Sequence, residues 1–378
     1  MTVFYCEGFE SVGDSGTADL DFESRIDATD SQEWRTANTP PTSGLEVDFE
    51  GQGYAWANGL FDGSDSQHLA IEFPTAFRST SSAASKTYCC GFRYYNGEIN
   101  AAFGIKERTL FYTTQGSSLP GSTLANMKVS EDQLDLIFTP SGSSSSTATG
   151  VLSVNTWHYI EIEWKGTTNG ANGGFYRVYV DGAQVLEDLN ANMTTFTFFT
   201  NYGVWVGEGY SASGTNTEQP SKFDDIYIME IDGVEHTEPL GPVRVFGMTV
   251  NSDETPNDWA PSTGSDNYAV IDNEDWETAD YVEGDVTADD DHYGVDNTFP
   301  VTPIAVHGVR VDVVCEATDG TPNLHIGFDD GTADEEDKGT IATGGEVQKT
   351  AFFDKDPSGS DWTATSLGSV EATQRMTE

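Results

Sequence analysis

Basic residues are scarce in this 378-residue chain: 17 Lys and Arg stand against 63 Asp and Glu, for a formal net charge of -46. Between Arg244 and Arg310 no Lys or Arg occurs at all. Such a field repels a polymer of phosphates, which excludes nucleic acid as a partner. It also strains the folded state by self-repulsion unless salt or bound cations screen it. At about 1 M salt the Debye length falls to about 3 Å and that strain largely vanishes. Asp outnumbers Glu and Lys is rare, a pattern expected of a protein working in brine. The plainer alternative is a surface that is simply acidic.

Cysteine is nearly absent too. Cys6, Cys89, Cys90 and Cys315 fit no zinc or CxxC spacing. Cys89 and Cys90 are neighbours in a strand-like run, so their side chains should face opposite sides of a sheet, with one in the core. Cys6 could pair with either, but a buried free thiol is the commoner outcome without a secretory signal. No long stretch carries apolar residues at helical spacing, and no apolar run could span a bilayer, so membrane insertion is not expected. The first residues, Met1 to Cys6, lack the basic flank and apolar segment of a signal peptide. Release by lysis or inside a particle is therefore expected rather than classical secretion.

What the chain has in quantity is turn residues and aromatics. Gly 39, with abundant Ser and Thr, implies many turns, and 12% aromatic residues supply large buried areas to a modest 37% hydrophobic chain. The length suits two cores rather than one. Strands are predicted at Leu69–Phe73, Thr87–Tyr95, 136–140 and 150–154, the last two flanking the Ser/Gly-rich tip Ser141–Ser146. The clearest segment is Trp157–Trp164, where His158, Ile160, Ile162 and Trp164 alternate with Trp157, Tyr159, Glu161 and Glu163. Period two puts the isoleucines and Trp164 inward and the glutamates on the other face. After the Gly/Asn-rich loop Asn169–Gly174, Phe175–Val180 meets Asp181-Gly182, a strong hairpin signal, and returns as Ala183–Leu186. Tyr202–Gly207 and Phe223–Ile231 follow.

Glu238-Pro239-Leu240-Gly241-Pro242 marks a boundary, dividing the chain into 1–240 and a smaller acidic β domain, 241–378. In the second part strands are expected at Val243–Val250, Ile304–Cys315, Asn323–Phe328 and Thr350–Phe353, with Trp362–Leu367 as a last candidate.

The run Asn155-Thr156-Trp157-His158-Tyr159-Ile160-Glu161, then Val178-Tyr179-Val180-Asp181-Gly182, resembles the concanavalin A-like (laminin G-like) jelly roll. Phe223–Ile228 is similar to its closing strand, which pairs back near the first strand. The resemblance implies an all-β fold, a lectin-like sandwich over 1–240 followed by the smaller β domain. Further on, Leu240–Val245, then Trp259 to Tyr268, Val270–Asp272 and Asp280–Val282 follow in an order similar to structural proteins of tailed phages. That likeness spans 225–285. It implies a virion component on the outer surface of tail or capsid, bound to other virion proteins and homo-oligomeric as a trimer or other ring. The acidic content departs from the usual bacterial examples and fits a halophilic or archaeal host. Tail tip, fibre or baseplate with host-glycan adsorption is the first expectation. A capsid decoration, head fibre or turret is the second, and a free lectin or glycan-active enzyme is the third.

Glu161 and Glu163 alternate on one strand at the separation a retaining glycosidase needs, about 5–5.5 Å. The surrounding E-x-D-x-(x)-E hydrolase pattern is missing, so they are expected to form a solvated strand face and the chain is expected not to be an enzyme. The six histidines show no metalloprotease or facial-triad spacing. Calcium suits the oxygen-rich runs Asp289-Asp290-Asp291, Asp329-Asp330 and Asp334-Glu335-Glu336-Asp337, the alternative being solvated acidic faces. Asp224 and Asp225 could hold a cation at the sandwich rim. For glycan, Tyr202, Trp205 and Tyr210, beside the loop Ser211–Thr217, could stack on sugar rings. The alternative for Trp205 is packing within Val204-Trp205-Val206.

Overall fold

A computed structural model describes residues 3–7, 32–37, 44–47, 54–57, 66–73, 86–98, 107–116, 122–168, 173–195, 201–210, 221–234, 236–271, 280–285, 287–299, 301–341, 343–345 and 347–377. The chain forms two compact units that meet in sequence at Val245/Phe246. Residues 241–245, placed in the second domain on sequence grounds, belong to the first because their backbone is bound to its side chains, as described below.

The strands of the first unit are β1 (Val3–Glu7), β2 (Gln32–Ala37), β3 (Gly44–Val47), β4 (Tyr54–Ala57), β5 (Ser66–Glu72), β6 (Thr87–Tyr95), β7 (Arg108–Gly116), β8 (Ser122–Val129), β9 (Leu136–Pro140), β10 (Ser146–Ala148), β11 (Trp157–Lys165), β12 (Thr167–Thr168), β13 (Gly174–Val180), β14 (Ala183–Ala191), β15 (Thr194–Thr195), β16 (Asn201–Tyr210) and β17 (Lys222–Ile231). Apart from β12 and β15, which pair with each other in parallel, they build two antiparallel sheets. One runs β14-β13-β11-β6-β17-β4-β3, with β1 also on β17; the other runs β10-β9-β8-β7-β16-β5-β2. This is the expected jelly-roll class.

Period-two patterning decides which faces meet. Ile160, Ile162 and Trp164 of β11, Val178 and Tyr176 of β13, and Phe92 and Cys90 of β6 are fully buried or nearly so. Across the interface stand Phe111, Met127, Phe138, Val204 and Val206 from the second sheet. Phe111 meets Trp164 edge-on with ring centroids 5.6 Å apart, and Phe138 lies 4.2 Å from Tyr176. Burial of each such side chain contributes roughly 1.5–3 kcal/mol. The Asp181-Gly182 turn forms as expected, with both residues at positive φ (51° and 79°). Asp181 also accepts from His158 Nδ1 at 2.9 Å and from the Tyr159 amide at 2.8 Å.

Some strands fall elsewhere than expected. The hairpin from β9 returns at Ser146–Ala148, inside the Ser-rich tip, and 150–154 is not a strand. All four cysteines are free thiols. Cys89 and Cys90 do face opposite ways, yet both are fully buried, because each face of β6 is covered.

The second unit holds β18 (Val250–Asn257), β19 (Ala260–Pro261), β20 (Val282–Glu283), β21 (Asp290–Val295), β22 (Val309–Cys315), β23 (Asn323–Asp329), β24 (Ala333–Thr340), β25 (Val347–Phe353) and β26 (Glu371–Thr377). Its main sheet runs β18-β21-β26-β23-β24, and β22 pairs with β25. Ile326, Phe328, Phe353, Trp362 and Leu367 lie in its core. Residues 243–249 and 304–308 are not strands, and Ile304 is fully exposed. Trp362–Leu367, expected as a strand, instead enters a one-turn helix, Ala364–Leu367, closed by a capping box between Thr363 and Ser366. No helix among the described residues is long and apolar enough to cross a membrane.

Candidate functional site

The outer face of the second sheet carries one continuous row of side chains across four strands. Register pairs Trp205 of β16 with Tyr112 of β7, Tyr112 with Asn126 of β8, and Asn126 with Thr139 of β9. With strands about 4.8 Å apart the row spans about 14 Å. The residues on either side of each, Val204 and Val206, Phe111 and Thr113, Ala125 and Met127, point into the sandwich. Trp205 is 4% exposed and stacks on Tyr112 with centroids 5.2 Å apart and rings inclined by 20°. Tyr112 is only partly buried, and burial pushes its hydroxyl pKa up, so it stays protonated. Next to it the Asn126 side-chain oxygen is buried and accepts no hydrogen bond from the described residues. Thr139 Oγ1 lies 2.9 Å from Ser145 Oγ, and Lys128, two residues along β8 from Asn126, pairs with Glu107 at 2.9 Å.

Of the residues expected to meet sugar, Trp205 is thus a buried support for Tyr112 and not an exposed platform. Tyr202 and Tyr210 lie on β16, but their side chains and the loop Ser211–Thr217 fall outside the described residues. Tyr112 and Asn126 escaped the sequence reading. Asn126 sits in a mixed strand, Ser122–Val129, whose pattern gives no sign that an amide would end beside an aromatic pair.

The outer face of the first sheet is covered around Glu161 and Glu163, which corrects the solvated-face expectation. Glu161 is 1% and Glu163 4% exposed. Glu163 is held by Arg177 Nη1 at 3.0 and 3.2 Å, and Arg177 Nε donates to Glu187 at 2.8 Å. Glu161 Oε1 accepts from the Tyr227 hydroxyl at 2.5 Å and from the Gly241 amide at 2.9 Å. Burial raises the Glu161 pKa above the usual carboxylate value, and the two donors only partly oppose it. What covers this face is the strap Leu240–Val245. Its Leu240 amide donates to Tyr227 Oη at 3.2 Å, its Val243 carbonyl accepts from Arg93 Nη2 at 3.3 Å, and its Val245 amide donates to Asp225 at 2.7 Å. A break in register between Asp224 and Tyr227, with Asp225 at φ 49°, turns Asp225 toward the strap. The cations that Asp225 holds are guanidinium groups: it is ion-paired to Arg93 and, at 3.1 Å, to Arg244.

In the second unit the residues proposed for calcium are spread over several contacts. Asp291 is wholly buried and accepts from the Trp259 amide at 2.8 Å, from Asn267 Nδ2 at 2.6 Å and from the Tyr293 hydroxyl at 2.6 Å. Asp289 accepts from the Asp285 amide, and Asp290 faces His292. Asp329 and Asp330 accept from the amides of Gly331 and Thr332 in the turn after β23. Asp290 lies opposite Arg375 and through it His325, whereas Asp329 lies opposite Glu371. Four residues of strand, about 13 Å, therefore separate the two runs. Among the described residues no three His, Cys, Asp or Glu side chains gather as a metal-ligand set.

No protein-family model and no curated protein matches this chain. Solved structures do resemble it at low identity. An endo-β-1,4-glucuronan lyase from the fungus Trichoderma reesei is 13% identical with a TM-score of 0.39, over 61% of this chain and 99% of that one. A PL-14 alginate lyase from Aplysia kurodai is 14% identical with a TM-score of 0.39, over 61% and 100%. A protein with a galectin-like fold from Bacillus subtilis is 10% identical with a TM-score of 0.34, over 61% and 98%. These likenesses concern the fold. The expectation that the chain is not an enzyme does not stand: polysaccharide lyases are among the solved structures it resembles.

Proposed function

We propose that this protein recognises a glycan on the outer face of its second sheet, around Tyr112, Asn126 and Thr139. The observation that supports it is the Asn126 side-chain oxygen, buried without a donor among the described residues one strand away from a partly buried ring. A buried acceptor left unsatisfied costs about 1–3 kcal/mol. A sugar stacked on Tyr112 brings hydroxyl donors to that oxygen while covering the aromatic surface with C–H groups. Trp205, stacked behind Tyr112, fixes the ring so that little side-chain entropy is lost on binding.

Calorimetric titration of the full chain against a polysaccharide panel tests this, with each mixture also followed for depolymerisation. Tyr112→Ala and Asn126→Leu are each expected to weaken binding about tenfold or more, which is about 1.4 kcal/mol. A wild-type protein that binds no glycan, or variants that bind as well as it does, would sink the proposal.

A second reading sets the protein on a virus particle, as the likeness of 225–285 implies. Its support is the sequence likeness of that segment. Immunogold labelling of purified particles tests it. Label at the distal tail favours adsorption, label over the head favours decoration, and unlabelled particles refute it.

A further inference from the structure

Building on the glycan-binding proposal, we infer that the glycan is an uncharged polysaccharide and not a polyuronate. Residues 1–245 contain 33 acidic residues against 12 basic ones. A polyanion needs cations that are free to meet it, since carboxylates are recognised through Arg and Lys donors. Six of the eight described basic side chains of this unit are committed to hydrogen-bond or ion-pair partners, and Lys222 lies over the Tyr95 ring. Lys86 pairs with Glu230, Arg93 and Arg244 share Asp225, and Arg177 bridges Glu163 and Glu187. Arg108 is 1% exposed and is spent on Asn96 and Ser221.

Beside the candidate row the same holds. Lys128 is the basic residue on that face of β8, and its Nζ sits 2.9 Å from Glu107. The remaining groups of the row are a phenol, an amide and a hydroxyl. These recognise sugar hydroxyls by stacking and neutral hydrogen bonds, and the unsatisfied atom of Asn126 is an acceptor. One negative charge per sugar would accumulate repulsion along the bound chain, whereas a neutral polymer is indifferent to the protein's field.

The experiment titrates the full-length protein with neutral polymers (a glucan, a mannan and a galactan) and with alginate, at about 0.1 M and about 1 M salt, where the Debye length is about 10 and 3 Å. At least one neutral polymer is expected to bind, with affinity changing less than about twofold between the two salts. Alginate bound more tightly than every neutral polymer at either salt overturns the inference and leaves the glycan-binding proposal standing. Failure of all polymers to bind overturns both.

Discussion

The Tyr227 hydroxyl donates to Glu161 Oε1 at 2.5 Å by laying its ring across Gly91, on the strand that lies between them. Cys89 Sγ lies 3.3 Å from the same hydroxyl, and the Gly241 amide reaches the same carboxylate oxygen. Two strands and the strap thus meet at one buried carboxyl group.

That carboxyl group makes stability depend on pH. Burial raises the folded-state pKa of Glu161 above its ordinary value of 4.5. A group whose pKa rises on folding contributes its full stability below the unfolded value and loses it as pH climbs through the folded one. Wild-type protein should therefore lose stability from about pH 4.5 upward through the folded pKa, relative to Glu161→Gln, which cannot ionise. Urea denaturation of both proteins across that range measures the difference. Parallel pH profiles would show that Glu161 is not the group responsible.

Gly91 is needed for its missing side chain. A Cβ there would sit 2.2 Å from Tyr227 Cε1 and 3.0 Å from the Tyr159 hydroxyl. Gly91→Ala should cost about 1–3 kcal/mol by overpacking. In a Tyr227→Ala background the same change should cost far less, a coupling that thermal denaturation of the four proteins would reveal or deny.

Asp225 ties the strap to the sheet. Replacing it with Ala removes the carboxylate shared by Arg93 and Arg244 together with the acceptor for the Val245 amide. Loss of a buried partner of this kind costs about 3–5 kcal/mol. Protease should then cut the variant within 240–245 at concentrations that leave wild type intact. If the strap stays equally resistant, its protection comes from elsewhere.

The sequence was most readable where a pattern and a turn agreed. Trp157–Trp164 alternates strictly, and Phe175–Val180 alternates and runs into the Asp181-Gly182 turn, so β11 and β13 were placed nearly to the residue. Alternation reports that two faces differ, however, not what covers the second one. Glu161 reads as solvated because the strap that binds it lies about 80 residues away in sequence and attaches through backbone amides and a carbonyl, which carry no sequence pattern; Glu163 reads so because its partner, Arg177, stands on the neighbouring strand. β26, Glu-Ala-Thr-Gln-Arg-Met-Thr, went unseen for the opposite reason. Its buried positions are Thr373 and Gln374, satisfied by Tyr293 and Glu335 rather than by apolar contact. The row at Asn126 was hidden because nothing local distinguishes an amide beside an aromatic pair from one facing water.

The pairing of β1 with β17 sets Val3 opposite Met229, and this governs how the protein is made. A ribosome adding about 5–20 residues per second needs roughly 10–45 s to travel between the two. Throughout that interval β1 waits for β17, its strand partner among the described residues, and the first sheet lacks the strand that joins β6 to β4. Closure is a late event dominated by contacts distant in sequence, the slowest kind to form. The nascent sandwich therefore emerges as an open sheet, and the like charge along the chain opposes association between neighbouring copies of it.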